Sequence, residues 1–237
     1  MLTRRHFVIT TATLFSGPIS SPLWAQDEEA PDLPAVEQTQ VAAPVKVKRR
    51  PVSNRAMWNK YDARVTPANY DPTTSNPWGL KERLLPRIVQ ANDGLKPGDI
   101  HVDAVARYLY HVRDDGTAMR YGVAIGRSGL YEPGVYTVGR KAKWPTWTPT
   151  PDMIKREPHK YEKYEDGMDG GPSNPLGARA IYLFEGRRDT YLRIHGSPQP
   201  RSIGSRASSG CVRMVMAHII GLYDQVEMGV TAHLYPA

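Results

Sequence analysis

Cys211 and His195 are the residues of this chain whose types and spacing point most directly to covalent chemistry. Cys211 is the single cysteine, set in Ser208-Ser209-Gly210-Cys211-Val212-Arg213-Met214, and His195 lies 16 positions upstream in Arg193-Ile194-His195-Gly196-Ser197. A thiol attacks as its thiolate, and a nearby imidazole can take the proton. Gly210 beside the cysteine suits a tight turn and lets another chain come close. A lone cysteine has other fates, an intermolecular disulfide or an inert place in a core. The pair alone leaves all three open. His101, His111, His159, His218 and His233 are scattered and lack metal-ligand spacing, so neither a metal nor a cofactor is expected.

The elements that must position this pair are mostly strands. Ile100-His101-Val102, Val105 to His111, Met119 to Ile125, Val135 to Val138, Ala180 to Phe184, Tyr191 to Ile194 and Thr231 to Tyr235 read as short strands. Asp114-Asp115-Gly116 reads as a hairpin turn. Val215, Ile219, Leu222, Tyr223 and Val226 recur at helical spacing, predicting a helix over Met214 to Met228 with Gly229 as its C-terminal cap. Residues 97–237 therefore read as one β-rich α+β domain with a helix following the cysteine, long enough for a core of its own. Residues 54–96, rich in Pro, Asn and Trp, read as an arm packing on that domain, with one possible helix from Lys81 to Gln90.

The start of the chain carries export features. Arg4-Arg5-His6-Phe7 precedes a weakly apolar stretch to Trp24, and Ala25 offers a cleavage point. The arginine pair resembles a twin-arginine signal, predicting a cleaved segment at 1–25 and a periplasmic location. Residues 26–53 mix acidic, basic and proline residues without aromatics and read as a disordered linker. The formal net charge of +7 suits an anionic wall or membrane surface, and no nucleic-acid motif is present.

Four segments together resemble the L,D-transpeptidase catalytic domain, the YkuD-like family. They are Glu132-Pro133-Gly134-Val135-Tyr136, Asn174-Pro175-Leu176-Gly177, Ile194-His195-Gly196 and Ser208-Ser209-Gly210-Cys211-Val212-Arg213. Many members carry a histidine where this chain has Ser209. The resemblance implies a β-sandwich, with Cys211 as nucleophile and His195 as proton donor and acceptor. It implies that the Gly196 carbonyl orients His195, and that no metal or cofactor takes part. The implied substrates are peptidoglycan stem peptides, as donor and acceptor. Cys211 would attack the diamino acid's L-centre carbonyl, expel D-Ala and pass the acyl group to an amine. An outer-membrane protein, water or a free D-amino acid are alternative acceptors, and a non-catalytic wall-binding protein is a further alternative.

Around that pair, backbone N–H groups at Gly210 and Cys211, with the Ser209 hydroxyl, are candidates for an oxyanion site. A helix starting just past Cys211 would favour the thiolate through its dipole. Arg213 is a candidate for binding a stem-peptide carboxylate; the other reading is an ion pair at the helix start. Tyr131, Trp144, Trp147, Tyr161 and Tyr164 fall in the long segment that forms a lid in this family, or pack as an ordinary loop.

Overall fold

The described residues form eleven strands and four α-helices, of which α1 and β1 belong to the arm. The structure is a computed structural model, and it describes residues 52–237. The expected export signal and nearly all of the expected linker lie outside the described residues. The strands are β1 (Arg87–Gln90), β2 (Ile100–Asp103), β3 (Tyr108–Val112), β4 (Thr117–Gly122), β5 (Ile125–Gly126), β6 (Gly134–Lys143), β7 (Arg179–Glu185), β8 (Arg188–Ser197), β9 (Arg206–Ser208), β10 (Val212–Val215) and β11 (Thr231–Leu234). The helices are α1 (Arg55–Val65), α2 (Pro151–Arg156), α3 (Pro158–Tyr161) and α4 (Met216–Gln225).

Nine strands form one mixed sheet in the order β1-β4-β3-β2-β11-β6-β7-β8-β10, and β5 and β9 pair separately. Ile100, Leu109, Ile181, Leu183, Ile194 and Met214, from both halves of the sheet, meet in one buried cluster with Ile219 and Leu222 of α4. The sheet therefore closes over a single core, giving the β-rich α+β architecture. Each such apolar side chain contributes about 1.5–3 kcal/mol when fully buried. The hairpin at Asp114-Asp115-Gly116 joins β3 to β4, and Asp115 accepts the Thr117 N–H at 3.0 Å.

Several elements differ from the sequence expectation. The stretch Lys81 to Gln90 is not a helix: a short 3-10 turn at Glu82–Leu84 leads into β1, which pairs with β4. Pro86 explains it, because the residue before a proline is pushed to an extended conformation. The arm's helix is instead α1, capped by Asn54, whose side chain accepts from the Ala56 and Met57 N–H groups. The return strand ends at Gly122, and Ile125–Gly126 pairs with β9. The helix after the cysteine starts at Met216, because Val212–Val215 pairs with β8. It is capped at Val226, with Gly229 in the turn beyond.

The arm is held by specific contacts. Asp62 of α1 receives two hydrogen bonds from Arg179, at 2.9 and 2.6 Å, and one from Trp144 Nε1 at 3.1 Å. Tyr70 OH shares a 2.6 Å hydrogen bond with His218 Nε2 of α4. Leu80 and Leu84 are buried with Ala124, Ile203, Val215 and Ala217, and Tyr70 and Trp78 pack against them.

Candidate active site

Two neighbouring parallel strands carry the site. β10 pairs with β8 so that Val212 faces Ile194, Arg213 faces His195 and Val215 faces Ser197. Alternate residues of a strand point to opposite faces. Ile194, Val212 and Met214 turn into the core. His195 and Arg213 therefore share the opposite face, and Cys211, one position before β10, follows the same alternation. By extension of the register Cys211 lies beside Arg193. It is two residue rises, ~6.6 Å along the strand, from the level of His195.

His195 is buried, and its Nδ1 sits 2.7 Å from the Gly196 carbonyl oxygen. A carbonyl only accepts, so Nδ1 carries the ring proton and Nε2 is left with its lone pair. Burial pushes the pKa of His195 down to about 3, and the charges of Arg213 and Arg193 add to this, while the carbonyls of Gly196 and Pro175 act the other way. Pro175 belongs to the Asn174-Pro175-Leu176-Gly177 loop. Buried Asn174 shapes that loop: its side chain accepts the Leu176 N–H at 2.8 Å and donates to the Asp169 carbonyl at 2.9 Å. Gly177 is left-handed (φ 62°), and a Cβ there would meet the Gly196 carbonyl carbon at 2.8 Å. The loop thus lies directly on the His195-Gly196 backbone.

Cys211 is half-buried. Its Sγ donates to the Tyr191 carbonyl at 3.6 Å, rather than to the imidazole. Tyr191 presents that carbonyl from a left-handed conformation (φ 61°) fixed by Asp189, which accepts its N–H at 2.8 Å. Burial pushes the thiol's pKa up, and the guanidinium groups of Arg193 and Arg213 partly offset this. Thiol and imidazole therefore both rest neutral. Arg193 is itself held by Asp189, at 2.7 and 2.9 Å, and lies over the Tyr182 ring.

The turn before the cysteine is tied by Ser208, which the sequence reading did not single out as a site residue. Its buried hydroxyl accepts the Gly210 N–H at 3.2 Å and donates to the Cys211 carbonyl. Gly210 has φ 132°, and a Cβ would sit 3.1 Å from the Leu130 carbonyl oxygen. The Gly210 N–H thus points into its own turn. The Ser209 hydroxyl lies 3.1 Å from Tyr161 OH. Because a strand and not a helix follows Cys211, the α4 dipole does not start at the thiol. Arg213 Nη1 is 3.5 Å from Gln199 Oε1, and among the described residues no carboxylate lies within ion-pair distance of it. The ion pair at a helix start is not formed.

The aromatic residues of the long segment divide. Trp144 is fully buried and Tyr131 packs on the core. Trp147, Tyr161 and Tyr164 cluster at ring distances of 6.2 and 6.0 Å. α2 and α3 meet at Glu157, which pairs with Arg127, and the Arg127 N–H in turn reaches the Ser208 carbonyl at 3.0 Å. Tyr161 and Glu157 therefore fasten this segment to Ser209 and, through Arg127, to Ser208, just before the cysteine.

The model of the L,D-transpeptidase catalytic domain family matches residues 97–234. The chain belongs to this family. L,D-transpeptidases are cysteine-dependent acyltransferases, and the matched residues include Cys211 and His195. The probable L,D-transpeptidase ErfK/SrfK of Escherichia coli (strain K12) is 34% identical over 147 residues, 61% of this chain and 46% of that protein. The probable L,D-transpeptidase YbiS of the same strain is 32% identical over 164 residues, 68% of this chain and 52% of that protein. The chain thus spans about half the length of the curated relatives it matches. A crystal structure from Brucella melitensis, described as a probable carnitine operon oxidoreductase caia, is 48% identical. It covers 65% of this chain and 96% of that chain with a TM-score of 0.45.

Proposed function

We propose that this protein is a periplasmic L,D-transpeptidase acting on peptidoglycan tetrapeptide stems. The observation that carries the reading is the placement of Cys211 and His195 on one face of β8 and β10, with the imidazole's Nδ1 proton committed to Gly196. Cys211 Sγ attacks the acyl carbon of the stem, and Nε2 of His195 takes the thiol proton. The bond to D-Ala breaks, and His195 returns the proton to the departing amine. An acceptor amine then attacks the thioester, the C–S bond breaks, and the amine's proton returns through His195 to the thiol.

The half-buried thiol must turn from the Tyr191 carbonyl toward His195 for the first step. Apo geometry of this kind commonly tightens only when substrate binds. Among the described residues Arg213 has no acidic partner, and it faces the same side as His195, which suits it to a carboxylate of the stem. The oxyanion falls to the Cys211 N–H, with Ser209 and Tyr161 at hand as hydroxyl donors.

A second stem as acceptor would give a cross-link; an outer-membrane protein, water or a free D-amino acid would give attachment, trimming or exchange on the same acyl-enzyme. The test is incubation of the purified protein with defined stem peptides, followed by mass spectrometry of the products. Loss of D-Ala together with a new amide is the expected result, and intact tetrapeptide overturns the reading. A carbapenem should add its own mass to the peptide containing Cys211, since an opened β-lactam is an acyl group on sulfur.

A further inference from the structure

The face of β8 and β10 that carries His195 and Arg213 does not end at those residues. It runs on to Ser197 and Val215, which pair across the two strands and line a pocket of about 380 Å3. Ala63 and Arg64 at the end of α1, Trp78 of the arm and Pro172 are among the residues that line it with them. None of the three arm residues falls within 97–234, so the matched domain alone does not make this pocket. The arm is fixed in place by Asp62 on Arg179 and Tyr70 on His218.

We propose that this pocket is a subsite for the sugar that bears the donor stem peptide, an inference that rests on the transpeptidase reading. The first argument is distance. Val215 is four residues from Cys211, ~13 Å along a strand. A donor attacked at its third residue and held extended has two residues and the sugar linkage left to span. At the same rise those cover ~10–13 Å. The second argument is chemistry. A pyranose presents C–H faces that pack on tryptophan and proline, and an acetamido oxygen that accepts hydrogen bonds. Trp78 and Pro172 supply the apolar surface, and the exposed Arg64 supplies a fork of N–H donors. The volume lies within the range of small-ligand sites, ~300–1,000 Å3.

The test compares two tripeptides that end in the diamino acid, so that neither can be cleaved: one free, one carrying N-acetylmuramic acid. Calorimetry on the wild-type protein should show the sugar-bearing ligand bound about tenfold tighter, a factor worth ~1.4 kcal/mol. Ala63→Trp, at an exposed helix position, fills the pocket and should bring the ratio of the two affinities to about one. Arg64→Ala, which removes the donors without adding bulk, should reduce it several-fold. Thermal melting establishes that each variant is folded. Equal affinities in the wild type, or a ratio that survives both substitutions, overturns the proposal. Turnover of the matching tetrapeptides is followed in parallel. Failure of the wild type to release D-Ala from either would sink the transpeptidase reading, while the binding ratio still reports on the pocket.

Discussion

Arg213 is the direct cross-strand neighbour of His195, and its charge works with burial to keep the imidazole neutral. The group proposed to meet a stem-peptide carboxylate thus also sets the resting state of the proposed base. When a carboxylate neutralises Arg213, one of the forces depressing the His195 pKa is lifted. Binding of the donor would then make the base more basic at the moment it is needed.

Removing the nucleophile should abolish acyl transfer. Cys211→Ala is expected to show no thioester by intact-protein mass spectrometry while melting like the wild type. His195→Ala should lose ~10²–10⁴-fold in rate, the usual worth of a positioned base. Acylation within tenfold of wild type would show that another group activates the thiol.

The pH profile follows from both resting groups being neutral. With His195 near 3 and the Cys211 thiol raised, the neutral thiol–imidazole pair stays fully populated across the neutral range, so kcat/KM should be flat there and show no inflection near 6.5. A profile bending at the ordinary histidine value would mean that the imidazole is better solvated than its burial indicates.

Acid should unfold the protein through buried histidines. His195 and His218 are both pushed down to about 3. Between there and about 6.5 the unfolded chain binds two protons that the folded chain refuses, so stability falls as pH falls. The slope from this pair reaches ~2.7 kcal/mol per pH unit. Urea midpoints measured from pH 7 to pH 4 should drop, and His218→Gln should flatten the drop.

Breaking the pair between the arm and β7 should be costly. Arg179 is 3% exposed and opens the strand in which Ala180 faces His195. Asp62→Ala leaves that guanidinium buried without its carboxylate, a loss of about 3–5 kcal/mol. Chemical denaturation measures it; a change under 1 kcal/mol would show that water replaces the carboxylate.

The chemistry was more legible in the sequence than its supports were. Cys211 stands out because the single cysteine sits beside a turn glycine, while His195 and Gly196 stand out through their resemblance to the family's His-Gly pair. The strands of the core were legible from alternation, and α4 from its spacing, though its first residues were claimed by the ladder with β8. α1 was not legible because it lacks an apolar stripe; Asn54 starts it, and Asp62 fixes it through residues more than 80 positions away. The Ser208 ties and the Tyr161 contact to Ser209 arise only when loops distant in sequence meet.

Export can be tested apart from the enzymology. With Arg4 and Arg5 both changed to Lys, the twin-arginine route should fail, because its receptor reads the pair itself. Fractionation of a bacterial host decides it: a variant that still reaches the periplasm and begins near Gln26 points to the general secretory route.

Asp62 and Tyr70 lie upstream of residue 97, yet they hydrogen-bond Arg179 and His218, both buried in the region that matches the family. The place where kinship becomes detectable is therefore not the place where the folding unit begins. A fragment cut at 97 would expose the apolar side of Ala124 and Val215 and leave two interior polar groups bare. The arm thus buttresses the strands that carry Cys211 and His195 while contributing neither residue itself.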